Sequence, residues 1–246
     1  MNKPPIVLVH GAWAGAWAWQ RVLAPLRAAG HAVFAVTLSG CGERRHGLRR
    51  DITLHDHIDD VLGVFEAEEL QGAVLVGHSY AGTVITGVAD RLLARDPARL
   101  RQLVYVDAGI PLPGEAWGSA HAPEVQAQRM AAARASGLNV LPPPDPAGFG
   151  LTGPDADWLR RRQGPHPFNA YLEPLHFSAE RLASVPRAFI DAVSPAYPTI
   201  ATARARARSL PGFMVVEMAT GHYPQIQDPA GFVRVLTGLI DRIQDA

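Results

Sequence analysis

The sequence predicts an α/β domain in which a mostly parallel sheet is flanked by helices. Short apolar runs rich in β-branched and aromatic residues are typical of buried strands, and helix-length segments separate most of them. Strands that alternate with helices favour a parallel sheet covered on both faces. At 246 residues, without internal repeats, the chain is long enough for one such domain with an insertion.

The elements follow one another in a regular order. The predicted strands are Ile6 to Val9, Ala32 to Val36, Ala73 to Val76, Leu103 to Val106, Ala188 to Ile190 and Phe213 to Val216. The predicted helices are Trp17 to Ala29, Thr53 to Glu69, Thr83 to Arg95 and Pro229 to Gln244. Thr53 is a good helix cap, and acidic residues follow it as the helix dipole favours. We therefore interpret His55-Asp56-His57-Ile58-Asp59-Asp60 as part of a helix and predict no metal site.

The segment from residue 111 to residue 186 departs from this alternation. Proline and glycine are dense there, as in Pro142-Pro143-Pro144 and Gly164-Pro165-His166-Pro167, and helical stretches such as Glu124 to Ser136 carry no intervening strand. We predict that residues 111–186 form a helical lid inserted into a core of residues 1–110 and 187–246. Such a lid would lie over the carboxyl ends of the strands, where open α/β sheets bind ligands.

Charge and composition narrow the possible partners and location. The 23 lysines and arginines balance 23 aspartates and glutamates, so nothing favours nucleic acid or an anionic membrane as a partner. We interpret the basic clusters at Arg160 to Arg162 and at Arg204, Arg206 and Arg208 as solvated faces. A single cysteine, Cys41, excludes an internal disulfide. Because the first strand begins early and no apolar run has membrane-spanning length, we expect a cytoplasmic protein.

The clearest functional signal is Gly77-His78-Ser79-Tyr80-Ala81-Gly82, which links a predicted strand to a predicted helix. This is the setting of a nucleophile elbow, a sharp turn that lifts a serine side chain toward the N-terminus of the helix. The neighbouring residues must be small, as Gly77 and Gly82 are, although Ala81 replaces the usual second glycine. We predict that Ser79 is a nucleophile and that the Tyr80 N–H holds the oxyanion.

A serine nucleophile needs a base and a second backbone donor. His222 follows the last predicted strand and precedes the final helix, where this chain order places the base. The loop His10-Gly11-Ala12 directly follows the first strand. We therefore predict that Ala12 supplies the second N–H group of the oxyanion hole.

The chain resembles the α/β-hydrolase family, in particular the branch of small carboxylesterases that includes plant methylesterases, hydroxynitrile lyases and bacterial pyrethroid-type esterases. The segments that carry the resemblance are Val7-Leu8-Val9-His10-Gly11-Ala12-Trp13, Gly15-Ala16-Trp17 with Trp19, Leu38-Ser39-Gly40-Cys41-Gly42-Glu43-Arg44, Gly77-His78-Ser79-Tyr80, Val104-Tyr105-Val106-Asp107-Ala108 and Gly221-His222. The resemblance implies the α/β-hydrolase fold, no metal or organic cofactor, and a lid that sets substrate choice.

The resemblance also bears on the reaction. Hydroxynitrile lyases of this branch carry a threonine just after the first-strand histidine and a lysine after the catalytic histidine. Gly11 and Tyr223 stand at those positions here. Hydrolysis is therefore favoured over the lyase reaction.

The acid of the triad is where the sequence departs from the branch. Most members place an aspartate just past the strand that follows the lid, but Ser194-Pro195 stands there. We favour Asp107, at the end of the strand before the lid, where haloalkane dehalogenases of the same fold carry their acid. Asp191 is the rival, although a carboxylate within a sheet needs partners to stay charged. Asp155 or Asp157 in the lid is a third candidate.

These features together predict a serine esterase that cleaves carboxylic esters of small to medium apolar or aromatic compounds through an acyl-enzyme. The residues expected around the substrate are His10, Gly11, Trp13, Cys41, Trp117, Phe168 and Tyr171. The alternatives are a hydroxynitrile-lyase-like or other non-hydrolytic activity and a non-catalytic ligand receptor. The expected partner is a small-molecule ester, and the sequence does not specify an oligomeric state.

Overall fold

A parallel sheet forms the centre of the chain in a computed structural model, which describes residues 3–243. Its strands are β1 (Ile6–Val9), β2 (Val33–Val36), β3 (Ala73–His78), β4 (Leu100–Val106), β5 (Arg187–Ala192) and β6 (Phe213–Met218). Their order is β6-β5-β4-β3-β1-β2, and every neighbouring pair is parallel. The fold class and the position of every predicted sheet strand are confirmed.

The helices alternate with the strands, as parallel connections require. They are α1 (Gln20–Ala28), α2 (Leu54–Ala67), α3 (Ala81–Arg95), α4 (Pro123–Ala135), α5 (Gly153–Arg160), α6 (Asn169–Leu172), α7 (Ala179–Ala183), α8 (Ala201–Ser209), α9 (Pro224–Gln227) and α10 (Pro229–Asp241). None of these described helices is long and apolar enough to cross a membrane.

Both faces of the sheet are buried because successive side chains of each strand point to opposite sides. Along β1, Val7 and Val9 belong to a core shared with α2 and α3. Ile6 and Leu8 belong to a second core shared with α1 and α10. The sheet is therefore held between two helical layers, and its ends remain free to carry loops.

Helix boundaries follow local chemistry. The Thr53 hydroxyl accepts from the Asp56 amide, and the Asp56 carboxylate accepts from the Thr53 amide at 2.8 Å, so the predicted cap of α2 is confirmed. The last predicted helix begins at Pro229 as expected, because the Asp228 carboxylate accepts from the Gly231 amide at 2.8 Å and caps its first turn. The end of that prediction, Gln244, lies outside the described residues.

The segment between β4 and β5 contains α4 to α7, but the expectation that it carries no strand was wrong. Glu115–Ala116 pairs with Pro174–Leu175, and Val140–Leu141 pairs with His166–Pro167, each as an antiparallel two-residue ladder. Runs this short, two of which contain a proline, show no alternating pattern that a sequence could reveal. These ladders join parts of the segment that lie far apart along the chain.

Candidate active site

The turn that carries Ser79 lies between β3 and α3. Ser79 has a φ of 56°, in the left-handed region that residues other than glycine rarely adopt. The Ser79 amide donates to the carbonyl of Val106 at 3.2 Å, and the Ser79 carbonyl accepts from the amides of Gly82 and Gly109 at 3.1 and 3.0 Å. These bonds hold a conformation that costs roughly 1–3 kcal/mol.

Close packing explains which neighbours of Ser79 must be glycine. A Cβ at Gly77 would lie 2.8 Å from the Ala81 carbonyl oxygen, and one at Gly82 would collide with the Gly109 carbonyl. A Cβ at Gly11 would lie 2.8 Å from the Ser79 Cβ. Ala81 is already helical, so its methyl group requires no unusual backbone and the absence of a second glycine there is harmless.

The structure brings Ser79, His222 and Asp107 into one hydrogen-bonded line. His222 follows β6 and Asp107 follows β4, so both loops meet the Ser79 turn at the carboxyl ends of the strands. His222 Nε2 lies 2.9 Å from Ser79 Oγ, and His222 Nδ1 lies 2.7 Å from Asp107 Oδ2. With the ring proton on Nδ1 donated to Asp107, Nε2 is free to accept the serine proton.

Burial shifts the pKa values of His222 and Asp107 and so affects which of them is charged. All three side chains are buried, and burial, assisted by the nearby Arg204 cation, lowers the pKa of His222 to about 3. The imidazole is therefore neutral at neutral pH, which is the form a general base needs. Burial also raises the pKa of Asp107 to about 7. The Arg204 guanidinium opposes that rise by donating to Asp107 Oδ1 at 2.8 Å, which favours the carboxylate form.

Of the competing carboxylates, only Asp107 reaches His222. Asp191, within β5, lies 2.5 Å from Arg204 Nε and 2.7 Å from Arg208 Nη2, so it has the partners that a buried charge needs. Asp155 instead pairs with Arg21 at 2.7 Å. The remaining candidate, Asp157, pairs with Arg160 at 2.6 Å.

The interpretation of the arginines of α8 as a solvated face was wrong. The side chains of Arg204 and Arg206 are only 14% and 17% exposed, whereas that of Arg208 is 43% exposed. Arg206 binds both oxygens of Glu115, at 2.6 and 2.8 Å. Their carboxylate partners come from distant parts of the chain, so the sequence around α8 could not reveal them. In the other basic cluster Arg160 and Arg161 are exposed, but Arg162 packs over Trp158.

The loop that carries His222 is held by two residues that the sequence analysis did not select. His78 Nε2 donates to the His222 carbonyl at 2.7 Å, and burial lowers the pKa of His78 to about 3. The His222 amide donates to the Phe149 carbonyl at 3.0 Å, and the Phe149 ring stacks on the imidazole at 5.4 Å. The motif around Ser79 contains His78, but nothing local indicates its partner 144 positions away.

The two backbone N–H groups expected to hold an oxyanion lie beside the serine. Tyr80 directly follows Ser79, and the loop of Gly11 and Ala12 packs against the Ser79 side chain. Within residues 3–243, neither the Ala12 amide nor the Tyr80 amide donates a hydrogen bond. The Tyr80 hydroxyl is instead hydrogen-bonded to His57 Nδ1, which lies 2.9 Å away on α2.

Aromatic side chains from the segment between β4 and β5 cover this centre. Trp117 lies 4.7 Å from the Tyr80 ring, 6.2 Å from Trp13 and 5.1 Å from Tyr171. Phe168 stacks on Tyr171 at 5.7 Å and so lies one ring further away. The expected substrate residues Trp13, Trp117, Phe168 and Tyr171 thus form one aromatic cluster.

The remaining expected substrate residues are engaged within the protein. His10 Nδ1 donates to the Gly11 carbonyl at 2.7 Å, and His10 Nε2 accepts from the Leu38 amide at 3.0 Å. Cys41 is buried with Sγ 3.7 Å from His166 Nδ1, and burial raises the pKa of its thiol to about 12. Cys41 is therefore a protonated thiol and not a nucleophile.

A cavity of about 330 Å³ borders the site and is lined by Trp13, Arg129, Leu141 and Tyr197, among others. Tyr197 packs 4.4 Å from the His222 ring, so this cavity is one residue layer from the triad. A separate apolar cavity of about 180 Å³, lined in part by Phe213, contains none of the triad residues. Arg129 and Tyr197 were not selected from the sequence, because neither belongs to a motif.

Comparisons with known proteins agree with this architecture. Residues 6–235 match the alpha/beta hydrolase family. The chain is 39% identical over 243 residues to a carbendazim hydrolyzing esterase from Nocardioides sp. (strain SG-4G), covering 95% of this chain and 98% of that protein. Methylesterase 7 from Arabidopsis thaliana is 35% identical over 112 residues, covering 45% of this chain and 42% of that protein.

A solved structure shows the same fold. It is an extracellular alpha/beta-hydrolase from a Paenibacillus species that shares structural and functional homology with tobacco salicylic acid binding protein 2. It superposes with a TM-score of 0.85 at 22% identity, covering 96% of this chain and 98% of that chain. The chain therefore belongs to the alpha/beta hydrolase family and is a hydrolase of the esterase type.

Proposed function

We propose that this protein is a serine carboxylesterase acting on small to medium apolar or aromatic esters. The observation that carries the proposal is the continuous line Ser79 Oγ, His222 Nε2, His222 Nδ1 and Asp107 Oδ2, with distances of 2.9 and 2.7 Å. That line is what a hydroxyl needs to become a nucleophile at neutral pH.

The proposed reaction proceeds in two halves. Ser79 Oγ attacks the ester carbonyl while its proton passes to His222 Nε2, and the N–H groups of Ala12 and Tyr80 hold the oxyanion. The alcohol leaves with the proton from His222, which leaves an acyl group on Ser79. His222 then takes a proton from water, the water oxygen attacks the acyl carbonyl, and Ser79 regains its proton as the acid departs. Asp107 stabilises the imidazolium formed in each half.

We assign residues 111–186 to a lid over a core of residues 1–110 and 187–246. Trp117 and Phe149 from this segment contact Tyr80 and His222, which supports a role in shielding the reacting atoms from water. The aromatic surface that they present, and the similarity to an esterase named for carbendazim hydrolysis, support an aromatic ester as the substrate class.

Two features oppose a lyase reaction in the same pocket. The backbone of Gly11 packs on Ser79 and brings no hydroxyl to it. Tyr223 packs its ring 4.5 Å from His78, and burial raises the pKa of its hydroxyl, so this position supplies a neutral phenol and not the cation of a lysine. Mandelonitrile cleavage by the purified protein would contradict this assignment.

Replacement of Ser79 tests the proposal. We expect Ser79→Ala to lower p-nitrophenyl acetate turnover by at least about 10³-fold and to abolish labelling by a fluorophosphonate probe. Ser209→Ala, at an exposed position of α8, is the control and should behave as the wild type. Unchanged turnover in Ser79→Ala would reject the esterase mechanism, and a wild type that neither labels nor turns over esters would favour a ligand receptor.

A further inference from the structure

Arg129, on α4, is a largely buried cation that has no carboxylate partner within residues 3–243. Its guanidinium carbon lies 5.3 Å from the Trp13 ring centre, 5.0 Å from that of Trp117 and 5.2 Å from that of Tyr171. Among the described residues, Arg129 Nη1 is buried and has no hydrogen-bond partner. The groups that support its charge are Tyr197 and Tyr171, and no aspartate or glutamate is among them.

This arrangement differs from that of two interior arginines on α8. Arg204 bonds to Asp107 at 2.8 Å, and Arg206 bonds to Glu115 at 2.6 Å, so each has a carboxylate. A buried charge is costly unless it is paired, and a cage of aromatic rings compensates only part of that cost. The rings around Arg129 therefore offset part of the cost of burying its charge, and an anionic partner would offset the rest.

The missing partner has a place to bind. Arg129 lines the cavity of about 330 Å³ together with Trp13 and Tyr197. Trp13 directly follows Ala12, and the Tyr197 ring lies 4.4 Å from His222. Arg129 therefore lines a cavity that is separated from His222 by one side chain, Tyr197.

Arg129 carries the positive charge of the aromatic cluster, because the imidazoles near it are neutral. Burial lowers the pKa of His121 to about 3 and holds that of His166 well below its usual range, so both imidazoles are neutral at neutral pH. Asp107 does not compete for Arg129, because it is already bonded to His222 and Arg204. Among the residues that line this cavity, Arg129 carries the charge, and the others are apolar or aromatic side chains together with the neutral polar Gln128 and Thr199.

We propose that Arg129 binds a carboxylate carried by the substrate at the end remote from the scissile ester. The inference rests on the proposed esterase function and specifies its substrate class: monoesters of dicarboxylic acids, preferred over neutral esters of the same size. A guanidinium presents a planar fork of N–H donors that matches a carboxylate, and the aromatic walls suit the apolar body that joins the two ends.

The first test compares matched esters with the unmodified enzyme. Monomethyl terephthalate is compared with methyl 4-methylbenzoate, and monomethyl adipate with methyl hexanoate, by chromatography of the released acids. We expect kcat/KM to be about 10- to 100-fold higher for at least one of the two monoesters than for its neutral counterpart, as a hydrogen-bonded charge pair would give. Equal or lower values for both monoesters would overturn the proposal without any variant.

Variants then assign the preference to Arg129. Arg129→Met keeps the apolar stem and should lower kcat/KM for the monoester about tenfold or more beyond any change in kcat/KM for the neutral ester, so that the preference is lost. Arg129→Lys keeps the charge without the fork and should retain part of the preference. Arg134→Met, at an exposed position of the same helix, is the matched control. Equal losses on both esters in Arg129→Met would show that the guanidinium serves packing alone.

A binding measurement separates this inference from the esterase proposal. Titration calorimetry of monomethyl terephthalate into Ser79→Ala measures recognition without turnover. We expect binding that is weakened about tenfold or more by adding Arg129→Met. If the wild type hydrolyses no ester but this binding is observed, the proposed reaction is wrong and the carboxylate site stands. If the wild type hydrolyses neutral esters but this binding is absent, the carboxylate site is wrong and the proposed reaction stands.

Discussion

Asp107 and Asp191 are joined by one guanidinium: Arg204 donates to Asp107 Oδ1 at 2.8 Å and to Asp191 Oδ1 at 2.5 Å. Only Asp107 also bonds to His222. The two carboxylates that compete for the same role in the sequence are therefore neighbours with different tasks. Asp107 faces the imidazole, and Asp191 holds the arginine that faces Asp107.

Asparagine substitutions distinguish these tasks. Asp107→Asn should lower kcat on the order of 10⁴-fold, because an amide cannot stabilise the imidazolium and favours the wrong tautomer. Asp191→Asn should lower it by about tenfold or less, since Arg204 retains its other bonds. Steady-state kinetics on p-nitrophenyl acetate measures both values, and an equal effect of the two substitutions would contradict the assignment of Asp107.

Removal of Arg204 should change the pH dependence of the reaction. Burial already raises the pKa of Asp107 to about 7, and Arg204 opposes that rise. In Arg204→Met the pKa should rise further, so the carboxylate is protonated over a wider range and kcat falls at acidic and neutral pH. Activity should return as the pH increases, and the acid limb of the kcat profile should move to higher pH.

Arg206→Met is the matched control for this experiment. It removes an arginine of similar burial from the same helix, but its partner Glu115 does not contact His222. Its stability should fall in a thermal unfolding scan while the acid limb stays in place. If both variants shift the limb equally, the effect arises from α8 as a whole and not from Arg204.

His78 should act as a positioning residue through the carbonyl of His222. His78→Phe keeps an aromatic ring in the space between His222 and Tyr223 but removes the N–H that donates at 2.7 Å. We expect kcat to fall about 10- to 100-fold, the value of a buried hydrogen bond, with KM little changed. A loss of thermal stability without any change in kcat would show that His78 only fills the interior.

The sequence predicted what depends on local pattern. Every strand of the sheet was found, because buried parallel strands are continuous apolar runs, and the Ser79 turn was visible because close packing demands Gly77 and Gly82. The two-residue ladders of the 111–186 segment have no such pattern. Their pairing depends on contacts between positions far apart in the chain.

The sequence did not reveal which charged residues form ion pairs in the interior. Arg204 and Arg206 occupy alternate positions in a run of arginine and alanine, which favours an exposed helix. Their burial is possible only because Asp107, Asp191 and Glu115 approach from other elements. Arg129 was missed for the opposite reason, since what distinguishes it is the absence of a carboxylate among the described residues around it.

Glycine packing at the turn gives a stability prediction with an internal control. Gly77→Ala should destabilise the protein by about 1–3 kcal/mol, because the added methyl group would lie 2.8 Å from the Ala81 carbonyl oxygen and push the start of α3 away from Ser79. Gly63→Ala, at an exposed position of α2 with no atom within 4 Å of the new Cβ, should instead stabilise it by up to about 1 kcal/mol. Urea unfolding measures both, and p-nitrophenyl acetate turnover should fall only in Gly77→Ala. Destabilisation of similar size in both variants would mean that the contact beneath Ser79 does not determine the result.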